Sequence, residues 1–254
     1  MLKQTLKKIT TLAVGVYLLT ACDAVKRVKN NDFLLLENKF IVNGKNNNSE
    51  KISRLSFQKV NSKILGIPVK LHIYNLARPK RDSIFSAWLS QRPKRQKRYT
   101  KTFSKKQVEQ IKKTSLVFNQ WLKNIGEAPE ILDLLKISKT KLNLERYYFS
   151  KGWFNRIVNY KVDTLKNRHA TLEFQIFTGD PHKIGAVSAE ITTPILDSIY
   201  NQSKDNSWLK NGAQFDFSNF DKERSRVSKN FRNSGVYYFS RDYIRFENDT
   251  IGKD

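Results

Sequence analysis

The sequence predicts an α+β fold built from a recurring unit of strand, helix, helix, strand, strand. Three observations carry that prediction. Residues 154–164 and 169–178 alternate apolar and polar side chains around a Lys166-Asn167 turn, which reads as a hairpin. A helical pattern over Lys139–Lys151, with Leu144, Tyr147 and Tyr148 inward, stops at Gly152, which suits a left-handed helix cap. The same order returns about 80 residues later. There a helix over Phe217–Ser234 stops at Gly235, and Val236–Arg241 reads as the start of a strand. The local texts are parallel: Tyr147-Tyr148-Phe149-Ser150-Lys151-Gly152-Trp153-Phe154 against Phe231-Arg232-Asn233-Ser234-Gly235-Val236-Tyr237-Tyr238.

The chain begins with a targeting signal. Lys3, Lys7 and Lys8 form a basic head, and Ile9–Ala21 is an apolar run of about 13 residues. A spanning helix needs roughly 20, so the run reads as a secretory signal peptide over residues 1–21. It closes on Leu19, Thr20 and Ala21 before Cys22, which is a bacterial lipobox. A small residue ahead of the cysteine permits cleavage, and its thiol is the nucleophile that accepts a thioether-linked diacylglycerol. Acyl chains contribute about 0.8 kcal/mol per buried CH₂, and two or more hold stably. Cys22 is the only cysteine in the chain, so a disulfide scaffold and a Cys-rich zinc module are both excluded. Asp23 keeps lipoproteins in the inner membrane of enteric bacteria, but other phyla sort differently.

The composition is strongly basic. There are 47 Lys+Arg against 23 Asp+Glu over 254 residues, a formal net charge of +24. In a cytosolic protein that excess would point to nucleic acid. An exported chain meets none, so the expected partners are anionic lipid head groups, acidic proteins or cell-wall polymers. Compositional drift toward Lys, Asn and Ile is the other reading of the charge.

Along the expected mature chain, residues 22–32 form a polar tether. Phe33–Leu36 and Phe40–Val42 make a strand ending at the Asn43-Gly44 turn. Ser49 caps a helix to about Val60, with Ile52 and Leu55 on one face. Ile64–Leu76 contains Gly66 and Pro68 and reads as extended or as a hairpin arm. Arg92, Lys94, Arg95, Lys97, Arg98, Lys101, Lys105 and Lys106 then form a basic surface, read as a solvated linker or as a contact for an anionic surface. Ser104 caps a helix to about Asn124 with Val108, Ile111, Ser115, Phe118 and Leu122 facing inward. After the first hairpin, Ile184–Ile191 reads as a strand, and Pro194 opens a helix through Ile195, Ile199 and Tyr200.

This order, with its aromatic-Gly-aromatic step, resembles the POTRA domain of the BamA/TamA outer-membrane insertase superfamily. Within it, the chain resembles the TamL family of TamA-like lipoproteins from Bacteroidetes. The matching phrases are Cys22, Phe33–Leu36 to Gly44, Leu71-His72-Ile73-Tyr74-Asn75-Leu76, Gly126-Glu127-Ala128-Pro129, Lys151-Gly152-Trp153-Phe154 and Tyr237-Tyr238-Phe239. Ala128 stands where the family pattern has a second proline, and the β-barrel that comes next in the family is absent. The resemblance implies tandem POTRA-like domains. One covers 33–180, with a basic insertion at about 61–124 or else two small domains. A second covers 181–254 and lacks its last strand, as in a chain cut short.

It further implies an outer-membrane, periplasm-facing, lipid-anchored protein that assists outer-membrane protein assembly. Clients would bind by β-augmentation, and a TamB-like periplasmic protein would be the docking partner. The alternative is a free-standing lipoprotein that binds anionic lipid or glycan through the basic segment. No catalytic constellation is legible: His72, His169 and His182 are scattered, and no metal spacing, phosphate loop or nucleophile elbow occurs. An enzyme is therefore not expected, nor a metal, nor any cofactor beyond the lipid on Cys22.

Overall fold

The computed structural model describes residues 24–249 apart from 81–83, 85–86 and 89–90. The lipobox residues Leu19, Thr20, Ala21 and Cys22 lie outside the described residues. The fold is α+β. Four strands, β1 (Leu34–Val42), β2 (Lys45–Asn46), β3 (Ile157–Leu165) and β4 (His169–Phe177), form one sheet in the order β2-β1-β4-β3. β1 turns into β2 through Asn43 and Gly44, whose φ angles of 49° and 78° match the tight hairpin that Asn-Gly favours. β3 and β4 join through Lys166–Arg168, with Asn167 and Arg168 both left-handed. β4 carries the cleanest pattern in the chain. Ala170, Leu172, Phe174 and Ile176 are all buried, while His169, Thr171, Glu173 and Gln175 between them are only partly covered.

The chain divides into two compact units, 1–39 with 57–136 and 161–173, and 40–56 with 137–160 and 174–254. In the first unit, Val25 and Val28 pack with Leu34 and Leu71 in an apolar cluster. The expected tether is thus partly core, and Arg27 donates to the carbonyl of Ala77. Of the helices among the described residues, α1 (Glu50–Ser53) belongs to the other unit, and α2 (Val69–Leu76), α3 (Pro93–Thr102) and α4 (Lys105–Ile125) lie in this one. α2 corrects the extended reading of Ile64–Leu76. Only Ile64–Ile67 is a tight turn, with Leu65 and Gly66 at positive φ, and Pro68 then precedes the helix. α3 likewise replaces the expected linker. Ser104 caps α4 in a reciprocal box with Gln107. α2 packs on α4. At the end of α4, a Cβ on Gly126 would lie 2.5 Å from the Tyr74 nitrogen, so no larger residue fits without displacing backbone.

The helix expected from Ser49 to Val60 is only α1, four residues long. Residues beyond it are drawn into tertiary hydrogen bonds. Gln58, fully buried, donates to the Ile131 carbonyl at 3.1 Å and accepts from the Asp133 N–H at 2.9 Å. Asn61 donates to the Ala128 carbonyl and accepts from the Glu130 N–H. Residues 130–132 in turn bond along Phe33–Leu35 at the start of β1.

In the second unit, α5 (Leu134–Ser150) has its last fourteen residues, with Ile137, Thr140, Leu144 and Tyr148 buried along one stripe. α6 (Pro194–Ser203) opens on Pro194 as expected, and α7 (Phe217–Asn233) buries Glu223, Val227 and Phe231. Two expected strands are not strands. Residues 184–191 are exposed coil except for half-buried Ile184 and Ile191, with short bonds to residues 212–213. Residues 236–241 form turns, and Tyr237 and Tyr238 stand in solvent. A strand is stable only where a neighbour completes its ladder; the first segment is bridged to residues 212–214 only at its start, and the second joins no strand among the described residues.

Candidate functional site

The sheet offers a long open margin at β3. β1 is bonded at its start by residues 130–132 and at its end by the two-residue β2. β3 forms the other margin, nine residues with no strand beyond them among the described residues. Val158 is buried, but Ile157 is 57% exposed and Leu165 48%, and Tyr160, expected inward, is also exposed. Between them Lys161 and Asp163 sit two residues apart and pair at 3.1 Å. Charges on an edge strand discourage indiscriminate pairing, and here each charge has its counter-charge on the same strand. The start of the strand is fixed by Arg156, which donates to the carbonyls of Glu145 and Phe154.

Just ahead of β3, the Gly152 step is built as expected and then buttressed. Gly152 has φ of 87°. A Cβ there would meet the Phe215 carbonyl at 2.7 Å. Gly152 O accepts from the His182 N–H, and Gln214 donates to Lys151 O. Lys151 pairs with Asp216 at 2.5 Å. Burial would raise the Asp216 carboxyl, but Lys151 and the Ser218 hydroxyl and N–H outweigh it and hold the group below its ordinary value. Phe149, Phe154, Phe215 and Phe217 close ring to ring around the step.

A second charged pair anchors α7. Glu223 bonds Arg226 through both carboxylate oxygens, at 2.6 and 3.0 Å, and accepts from the Trp208 N–H. Burial pushes the Glu223 carboxyl up, and these donors more than reverse it. Two of the surrounding cations have protein partners: Lys222 lies 4.6 Å over the Trp208 ring, and Arg226 also bonds Ser203. That surface is better explained as packing than as a ligand site.

Of the residues singled out from sequence, Arg92, Lys94, Lys97, Arg98, Lys101, Lys105 and Lys106 are exposed on or beside α3 and the first turn of α4. Arg95 falls within α3. Gly235 has φ of 99° and open space around it. The three histidines stay apart in role: His72 is buried with an unpartnered Nδ1, His169 faces the Lys166 carbonyl, and the His182 ring lies tilted against Phe154 at 4.8 Å. No group of three His, Cys, Asp or Glu side chains among the described residues could hold a metal ion. No helix among them is long and apolar enough to cross a membrane. Sequence reasoning missed Gln58, Asn61 and the Glu223–Arg226 pair. The only available signal was the three-residue spacing of the last, which any solvated helix shares.

Comparison with protein-family models, with curated proteins and with solved structures gives no match. The functional reading therefore stands on the geometry and on the sequence motifs.

Proposed function

We propose that the chain is the exported, lipid-anchored portion of an outer-membrane assembly protein, and that it holds extended client segments by β-augmentation along β3. The observation that carries this reading is the open nine-residue edge. Its backbone N–H and C=O groups supply affinity without demanding a client sequence, and its exposed Ile157, Tyr160 and Leu165 supply apolar contacts for alternate client side chains. The paired Lys161 and Asp163 limit pairing with wrong partners. The similarity to TamL gives the setting. Cys22 carries the lipid, the periplasmic face receives barrel precursors, and a TamB-like protein docks alongside. No chemistry is assigned to any side chain, and no cofactor is needed.

The test places a photo-crosslinking residue at Asn159 on β3, or at Ser218 on α7 as a control, in the full-length protein. An unfolded outer-membrane β-barrel protein is the probe. Crosslinks from position 159 alone support the reading. Equal crosslinking from both positions, or none from 159, overturns it.

A further inference from the structure

α4 has two apolar faces, and described elements cover only one of them. Leu122 is buried and, with half-covered Val108 and Ser115, lies on the side turned to α2. Ile111, Phe118 and Ile125 succeed one another at seven-residue intervals on a neighbouring stripe, with Val117 and Trp121 beside them. All five are exposed: Val117 at 70%, Phe118 at 58%, Trp121 at 51%. Fourteen residues of helix make that stripe about 21 Å long. Phe118 and Trp121 stack on each other with centroids 5.5 Å apart, which fixes a flat aromatic patch at its middle. Lys106 and Lys113 border the stripe on the side away from α2. The basic run through Lys94, Lys97, Arg98 and Lys101 leads directly into it.

We propose that this stripe lies in the surface of an anionic lipid bilayer, with Phe118 and Trp121 at the level of the head groups and the lysines against lipid phosphates. The inference rests on the proposed export and lipid anchoring for its setting, and it adds the face that makes contact. Two observations select a bilayer as the occupant. The stripe joins aromatic and aliphatic side chains to flanking lysines, which is the composition of helices that lie in a membrane interface. A second copy of the chain would bring the same cations against these, whereas an anionic bilayer supplies counter-charge and apolar depth together. Ile111 and Phe118, expected from the sequence as core, are surface residues instead, because no described element covers them.

The experiment exploits the single native thiol. With Cys22 acylated, a cysteine at position 118 (Phe118→Cys) or on the opposite side of α4 (Glu109→Cys) takes an environment-sensitive dye alone. The labelled full-length protein is mixed with phosphatidylcholine vesicles with or without phosphatidylglycerol. At position 118 we expect a blue shift and quenching by brominated acyl chains only when phosphatidylglycerol is present, weakened by salt, and no change at 109. Lys106→Gln and Lys113→Gln should each weaken vesicle binding about fivefold, as expected for about 1 kcal/mol per surface lysine. No shift at 118, an equal shift at 109, or a shift without vesicles overturns the proposal. The last of these would mark an apolar protein surface instead. The mass of the protein reports acylation separately, and Cys22→Ser gives an unacylated background. If the mass shows Cys22 unacylated, lipid-dependent burial of the label at position 118 in the Cys22→Ser background would defeat the anchoring and keep the face. An acylated chain with 118 in water would do the reverse.

Discussion

At Gly152 and again at Gly235 the chain leaves a 17-residue helix by the same route. Both glycines are left-handed. In both, the residue after the glycine sends its N–H back five positions, from Trp153 to Tyr148 O and from Val236 to Phe231 O, at 3.1 and 3.0 Å. The two paths then diverge. After Gly152 the chain is clasped by His182, Gln214 and Phe215 and runs on into β3, which has β4 to pair with. After Gly235 no described atom lies within 4 Å of where a Cβ would stand, Phe239 folds back onto Phe231 at 4.8 Å, and Tyr238 is 98% exposed. A short stretch of sequence therefore specifies a helix end, whereas a strand also needs a partner ladder that is set elsewhere in the chain.

Four measurements would break or sharpen that contrast. The largest effect is expected at Phe174, fully buried on β4 and stacked on Phe40 at 5.5 Å. Phe174→Ala should cost about 3–5 kcal/mol in denaturant unfolding. A cost near zero would mean that the pairing of β3 does not depend on a packed β4. Next is Glu223→Gln on α7, which leaves Arg226 buried without its counter-charge and should cost about 3 kcal/mol near neutral pH. Because the Glu223 and Asp216 carboxyls are held below their ordinary values, their stabilisation is present above the unfolded-state pKa and is lost as pH falls through the depressed folded values. Acid titration of the variant should accordingly show a shallower loss of stability than the wild type, and an unchanged slope would discount the pair.

The third measurement addresses the two glycines directly. Gly152→Ala combines a left-handed backbone with a clash against the Phe215 carbonyl and should cost about 2–3 kcal/mol, and Gly235→Ala, strained but unobstructed, about 1 kcal/mol. Equal costs would show that the buttress around Gly152 gives way. The smallest effect is expected for Tyr238→Ala, within about 0.5 kcal/mol by thermal unfolding. A larger loss would place that tyrosine in a packed strand after all.

The parts of the fold legible in the sequence are those where a local rule and the tertiary surroundings agree. β4 shows its alternation because one face is entirely core. Asn43-Gly44 and Gly152 show their turns because few residues tolerate positive φ. The Ser104 box and Pro194 mark helix starts through their own hydrogen bonding and ring geometry. Legibility fails where distant groups decide. Gln58 and Asn61 carry no periodic signal, yet they hold residues 128–133 beside β1 and end the preceding helix early. Residues 184–191 and 236–241 have strand-like composition, but the first is paired only at residue 184 and the second joins no strand among the described residues. α4 is the instructive case for the candidate surface. Its apolar periodicity predicts a helix correctly, but periodicity does not say whether an apolar stripe meets protein or something else.

With β3 unpaired along its outer side among the described residues, that side can hold one added strand at a time. Two such molecules joining along β3 would use up both of those sides. Whatever strand arrives first, guest or twin, shuts out the next.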